Sequence, residues 1–571
     1  MFGNFPSPPL SRAYVKGPTV PARTSRMPLN FAFLPTFPRH LLLLIGLVAS
    51  SCAREHYYQA DARIGPGSTA ALPASTDTVR GVAGRHYNRH SALYRFFMGH
   101  HYRRVWAAPV SVPVLHLATA GPGGLRPGKP GGGFQSTSMT LEGAQGRGYA
   151  LRALDKKPSR TLPKVLRSTF LLNAVRDATS AGFPYGAFTV PPLAQAAGVP
   201  HTRPRLAYVR ADETGLGVMS EQFQGKLVLL EEKYEALASC TPDLAGATEF
   251  MAGEAMLQHV YAQPTHSIDQ LAFLRARLLD VWLGDWDRHE GQWQWAAFPA
   301  AAGRVRYRPI PKDRDQVYFK FDDGLVPWLV SRSFIAPKFQ TFKAHYGNVA
   351  GLVKQARFID QRGLSQMTRA DFHRLAADLQ RRLPDSLIER ALRRLPPAVF
   401  ALEGPRLAAA LKSRRQTLPQ AAAIFYQTLA GQPVVGGTAG PERFVVHRYP
   451  DSTTVHVFAA ARGHLATGGD SLQFHRTYFP SETRRLTLES LGGHDVFEIA
   501  STGAGQPIRL RLFGGAGHDQ LRLQGHHRRL ALFDDAGDLT APRAPQPQRP
   551  PRKHRAYDRL NRDGGRLQRA R

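Results

Sequence analysis

The hydrophobic pattern changes period partway along this 571-residue chain. From about residue 245 to 430, apolar residues recur at helical spacing, as in "LAADLQRRLPDSLIERALRRL". From 431 onward, "RFVVHRYPDSTTVHVFAA", "LQFHRTYF", "RRLTLESLGGHDVFEIA" and "IRLRLFGGAGHDQLRL" alternate β-branched and aromatic residues with polar ones between glycine turns. A helix groups its apolar residues on one face at a period of 3.6 and a strand at a period of 2, so one module cannot satisfy both patterns. Upstream, residues 106 to about 240 mix strand-like runs ("VSVPVLHLA", "RLAYVRAD", "KLVLLEEK") with one helix, "LRSTFLLNAVRDATSAG". The expected class is therefore α+β, with a small all-β, sandwich-like module over 431–530. The chain is too long for one core, and its 43% hydrophobic and 10% aromatic content is that of a folding protein.

The N-terminus sets the compartment. "PRHLLLLIGLVASSC" has a basic flank, a short apolar run from Leu41 to Val48, small residues at 49–51 and then Cys52. The run is shorter than the ~20 apolar residues that span a bilayer, and it has the layout of an export signal. It resembles a bacterial lipoprotein signal, which makes Cys52 the lipidated residue and 1–51 the signal peptide, with Met27 an alternative start. Ala49 stands where leucine is usual. Residues 52–85 read as a lipoprotein tether, 86–430 as the main domain, and 531–571, rich in proline and arginine, as a disordered tail. The only other cysteine is Cys240, so removing Cys52 to lipid leaves no intramolecular disulfide. With 75 Lys and Arg against 43 Asp and Glu, the net charge is +32. The arginines are spread along the chain, and no basic run interleaves with aromatics outside the tail, so no nucleic-acid partner is expected.

One stretch carries candidate chemistry. "LLDVWLGDWDRHEGQWQWAAF" ends a helix at a glycine and then places Asp287, Arg288 and His289 in a loop. Gln292 follows five residues after Asp287, and "VRYRPIPKDRDQVYFKFD" delivers Asp313 and Asp315 to the end of a strand. An acid to orient a hydroxyl, an amide and a following aspartate pair suit phosphoryl transfer, with hard oxygens for magnesium or manganese. Trp293 and Trp295 alternate on a strand and are expected to pack the loop against the helical half.

This spacing resembles the atypical branches of the protein-kinase-like superfamily: the secretory-pathway, spore-coat and HipA-type kinases. The resemblance implies a two-lobed domain over 86–430, with Asp287 as catalytic base and Gln292 and Asp313 or Asp315 as metal ligands for an ATP-bound Mg or Mn. Gln292 stands where asparagine is commoner. It further implies a phosphate-covering loop, matched by Gly131, Gly132 and Gly133 in "KPGGGFQSTSMTL". A nucleotide-binding base would follow in "GRGYALRALDKKP", with Lys156 the expected residue and Arg152 its rival, and a partner acid on the next helix would be Asp177.

"GDWDR" superficially matches a metallophosphoesterase signature, but one residue intervenes instead of two and the other ligand motifs are missing. Six strings between Tyr87 and Asp519, among them "HYRRVWAAPVSVPVLHL", "LRALDKKPSRTLP" and "LGGHDVFEI", look like one region of a family of large bacterial outer-membrane proteins. Its members often add a metallophosphoesterase in front and a surface-antigen-type β-barrel behind; here a free-standing or truncated form is expected. In the β module, "GGAGHDQLR" matches one unit of the calcium-binding nonapeptide repeat, and "LGGHDVFEI" is like a degenerate second one. Two separated units would not stack, so tight turns are favoured over calcium sites. Two functions follow as expectations: an envelope lipoprotein with a kinase-like phosphoryl or nucleotidyl transfer site, or a catalytically inactive outer-membrane-associated binding or assembly module, with a barrel protein as partner.

Overall fold

The computed structural model describes residues 53–548 apart from 55, 66–67, 69, 132–136, 333–334, 461–470, 504, 506, 535–538 and 541–546. Cys52, Gly132, Gly133 and most of the arginine-rich tail lie outside the described residues. The described residues belong to one compact unit, which holds the described hydrophobic cores.

The segment read as a tether is part of the fold. Tyr57, Ala62, Val79 and Ala83 are buried in the largest core, and β1 (Thr78–Gly81) pairs antiparallel with β2 (Val110–Pro113). The irregular backbone of this segment hid its packing: its apolar residues follow no helical or strand period, yet Tyr57 packs edge-on against His86. Between these strands runs α1 (Ala92–Met98), started by the Ser91 hydroxyl, which accepts from Tyr94 N.

A five-stranded antiparallel sheet follows, from β3 (Arg126–Gly131), β4 (Ser138–Glu142), β5 (Gly148–Ala153), β6 (Arg205–Tyr208) and β7 (Leu227–Lys233), in the order β3-β4-β5-β7-β6. Leu141, Leu151, Val228 and Leu230 fill its own core. Helix α2 (Phe170–Asp177) lies in the crossover between β5 and β6.

Next come β8 (Glu249–Ala252), β9 (His266–Ile268), α3 (Gln270–Leu283), β10 (Trp293–Ala300) and β11 (Arg304–Pro311), whose strands order as β8-β10-β11-β9. Asp269 caps the start of α3 and Gly284, at φ 74°, ends it. Every residue of α3 from Ala276 to Leu283 is buried, because the sheet and the later helices close around it. The later helices are α4 (Leu325–Val330), α5 (Arg369–Arg382), α6 (Asp385–Leu392), α7 (Pro397–Gln416) and α8 (Leu418–Ala430), of which α5, α7 and α8 pack on α3. The fold is α+β, as the change of period requires.

The β module joins β12 (Val434–Gly436), β13 (Glu442–Arg448), β14 (Thr453–Ala459), β15 (Ser471–Tyr478), β16 (Arg485–Glu489), β17 (Val496–Ser501), β18 (Arg509–Phe513), β19 (Gln520–Gln524) and β20 (Leu530–Phe533) into two sheets over one core. It departs from a simple sandwich. From β16 onward the chain alternates between the sheets, so β16, β18 and β20 pair in parallel, as do β17 and β19, in the manner of a roll. The two glycine-aspartate turns, distant in sequence, are therefore stacked: a Cβ on Gly517, at φ 124°, would lie 1.8 Å from the Gly493 carbonyl oxygen. The module also runs past 530, since β20, Leu539 and Thr540 belong to it.

Candidate active site

The loop after α3 is fixed from below by Arg288. Its fully buried guanidinium donates to Asp280 Oδ2 at 3.2 Å, to the Lys312 carbonyl at 2.8 Å and to the Gln292 carbonyl at 3.0 Å, and it lies 4.5 Å above the Trp293 ring. One side chain thereby ties α3, the 287–292 loop and the end of β11 together. Asp280 is the hub of this layer, accepting also from Arg277 and Arg314, while Arg277 is shared with Asp360. Trp293 and Trp295 are buried on one face of β10 and both pack on Phe273 of α3. His289 Nδ1 accepts from Gly291 N and caps the short turn that ends at Gln292.

Above this layer, the residues singled out from sequence converge. Lys156, just past β5, forms an ion pair with Asp315. Arg152, on β5, has Nε 3.9 Å from Asp313 Oδ1, and its guanidinium also holds Glu231 of β7. Asp313 sits at φ 57°, a left-handed conformation uncommon outside glycine that turns the chain sharply after β11. Burial pushes the Asp313 carboxyl up, but Arg152, Lys156, Arg288 and a hydrogen bond from the Gln292 side chain outweigh it and hold it below the usual range. Burial and the neighbouring Asp313 raise Asp315 above that range, against the pull of Lys156, and Asp287 adds in the same direction. Lys156 is held ionised: Asp315, Asp313 and Asp287 overcome its burial. Asp287 is half-buried, with Lys338 among the groups that feel its charge.

Gly131 lies at the end of β3 opposite Ser138, which in turn pairs with Arg152, so the end of β3 lies at the same end of the sheet as that basic residue. Asp177 is elsewhere. Its carboxylate is buried, held by a two-pronged bond from Arg103 at 2.6 Å and 2.6 Å and by His90 at 3.1 Å, so it does not pair with Lys156. The acid that meets a base on this sheet is Glu231, on the neighbouring strand instead of a helix. "LVLLEEK" contains it, but strand pairing, invisible in the sequence, decides which base it faces.

Two further residues were not foreseen. Asp285 is buried, with neither oxygen hydrogen-bonded among the described residues; burial raises it to about 7 despite Arg288 at 3.7 Å and Arg314 at 3.9 Å. Lys338 lies 4.7 Å above the Trp286 ring and borders Asp287. Its alternation of aspartate and tryptophan in "GDWD" was the available signal for Asp285. A concavity lined by Gly284, Gln340, Phe342, Tyr346 and Arg414 lies beside the loop and does not include the three aspartates.

Asp313, Asp315 and the Gln292 amide offer hard oxygens suited to Mg or Mn, although among the described residues no group of three His, Cys, Asp or Glu side chains is close enough to enclose an ion by itself. A metal arriving on nucleotide phosphates brings its remaining oxygens with it, so the donor set fits that form. No family model matches the chain, and no curated protein or solved structure matches it either.

Proposed function

We propose that this chain is an envelope lipoprotein, anchored to the outer membrane through Cys52, whose Asp287–Asp313–Asp315–Lys156 cluster is a kinase-like phosphoryl or nucleotidyl transfer site. The observation that carries the proposal is the meeting of Lys156 with Asp315, beside Asp313 and Gln292, from segments far apart in the chain. Two carboxylates and an amide would hold Mg or Mn on the phosphates of ATP, and the metal would supply charge neutralisation there. Lys156 and Arg152 would face the phosphate oxygens, and the Gly131–Gly133 turn would cover them with backbone N–H groups. Asp287 would accept the proton of an acceptor hydroxyl as its oxygen bonds to phosphorus and the bond to the leaving nucleotide breaks. Arg288 positions Asp287 without touching substrate.

A second reading has its own support. Lys156 and Arg152 already compensate Asp315 and Asp313, which is what a retained fold used only for binding or barrel assembly would also show. Thermal unfolding with ATP, with and without manganese, in the wild type and in Asp313→Ala and Asp315→Ala separates the two. A ligand that binds only the folded state raises the melting temperature. Metal-dependent stabilisation lost in either variant supports transfer chemistry; no shift at millimolar nucleotide leaves the binding module.

A further inference from the structure

Two short helices far apart in sequence present their apolar sides to solvent together. On α1, Leu93, Phe96 and Phe97 recur at helical spacing and are 69%, 61% and 41% exposed; on α4, Leu325, Trp328 and Leu329 are 42%, 44% and 47% exposed. The helices touch, and their junction is closed by backbone: a Cβ on Gly324, before α4, would lie 2.2 Å from the nitrogen of Gly99, after α1. Asp323 locks it further by accepting from His101 N at 2.7 Å. An apolar surface built on so close a junction is held in place by the fold, and contiguous exposed apolar residues of this kind mark interaction sites.

Charge identifies the partner. Residues 78–141, which contain α1, and residues 324–359, which contain α4, include no aspartate or glutamate. The two acids at the junction, Asp322 and Asp323, are themselves faced by Lys343 at 3.4 Å and Lys320 at 3.7 Å, while Arg89 and Arg104 are exposed and Arg332 lies 4.1 Å above the Trp328 ring, so the bases outnumber the acids around the helices. Exposed Phe, Leu and Trp ringed by Arg and Lys are the composition of a surface that sits in a bilayer interface. The position of the chain start agrees. Ala53 N donates to the Ser168 carbonyl and Arg54 N to Asn173 on α2, and the last residue of α2, Asp177, holds His90 just before α1. Residue 53 therefore enters the fold against α2, whose last residue contacts the segment just before α1.

We infer that the joined faces of α1 and α4 seat on an anionic phospholipid bilayer, so that the unit lies on the membrane instead of swinging from its N-terminus. The inference rests on the envelope placement proposed above, and not on the nucleotide site. The segment after α4 leads to Lys338 and Phe339, which pack on Trp286 beside Asp287, so a seated unit would hold the candidate site close to the lipid surface.

The test uses the polypeptide from Ala53 to Arg571, which contains the described cores and lacks both the apolar leader and Cys52. It is sedimented in about 0.15 M salt with vesicles of phosphatidylethanolamine and phosphatidylglycerol and, beside them, of phosphatidylcholine alone; any attraction by the arginine-rich tail is shared by wild type and variants and cancels in their comparison, and equal sedimentation with both lipids would overturn the choice of an anionic surface. Wild type is expected to sediment, and the double variant Phe96→Glu, Leu329→Glu to partition about tenfold less or lower, with an unchanged melting temperature. Val218→Glu, at another exposed apolar position, should sediment like wild type. No sedimentation of wild type, equal sedimentation of the double variant, or a solution dimer dissolved by the same two substitutions would overturn the inference. The mass of the N-terminal peptide from intact cells reports lipidation of Cys52 separately, so a failed anchor and a failed seat give different results.

Discussion

The ammonium of Lys156 and the carboxylate of Asp315 meet across 159 positions of sequence, joining the end of β5 to the turn beyond β11. That ion pair couples the five-stranded sheet to the sheet that carries the aspartates, and both groups are largely removed from water.

Lys156→Met is expected to leave two neighbouring carboxylates, Asp313 and Asp315, with one cation fewer. Asp315 should then take up a proton more readily, and unfolding in urea should show a loss of roughly 1–3 kcal/mol, the ordinary range for leaving a charged partner unsatisfied. Arg152→Met should also weaken the site, through Asp313, but should perturb Glu231 on β7 as well.

Arg288 and Asp287 are adjacent but should behave oppositely. Arg288→Met removes a fully buried cation that serves Asp280 and two carbonyls; Asp280 keeps Arg277 and Arg314, so a loss of about 2–5 kcal/mol is expected from the two buried carbonyls left without their donor. Asp287→Ala should stay within about 0.5 kcal/mol of wild type, as a half-buried loop residue should, while abolishing any transfer activity. Denaturant midpoints for both variants, beside an ATP-consumption assay, check the contrast.

The β module should lose stability as pH rises. Glu442 N donates to Asp495 Oδ1 at 2.7 Å and Asp495 N to Asp519 Oδ1 at 3.0 Å, a ladder of buried acids along the stacked turns. Burial raises Asp495 to about 9 and Glu442 to about 7. Both folded values lie above those of the unfolded chain, near 4, so between about pH 4 and pH 9 the folded state binds more protons and each rise in pH favours unfolding. Asp495→Asn keeps an oxygen for Glu442 N and removes the more strongly raised of the two titrating groups. It should flatten this dependence and be the more stable protein at about pH 8; a melting profile against pH that is equally steep in the variant would refute the assignment.

Gly517→Ala places a methyl group against the Gly493 carbonyl in a backbone conformation that favours glycine. A loss of about 2–4 kcal/mol is expected, read as an early, separate unfolding step of the roll in calorimetry.

The sequence alone determined which segments are helix and which are strand wherever one period persisted: the helix ending at Gly284, the strand pair around 293–311 and the switch near residue 431 were legible because burial on one face leaves a periodic trace. It also held Asp287, Gln292, Asp313 and Asp315 at informative spacing, since a loop and the end of a nearby strand keep their separation along the chain. Tertiary structure decided the rest. Tyr57 and its neighbours are core residues without periodicity, because irregular backbone imposes none. Asp177 turned to Arg103, and Arg152 found Glu231, because partners of a charged group are set by which strands and helices lie side by side. The two glycine turns became neighbours only through the alternation of the roll between its sheets. Ion pairing, stacking and burial depend on distances through space, and those distances exist only once the chain has folded.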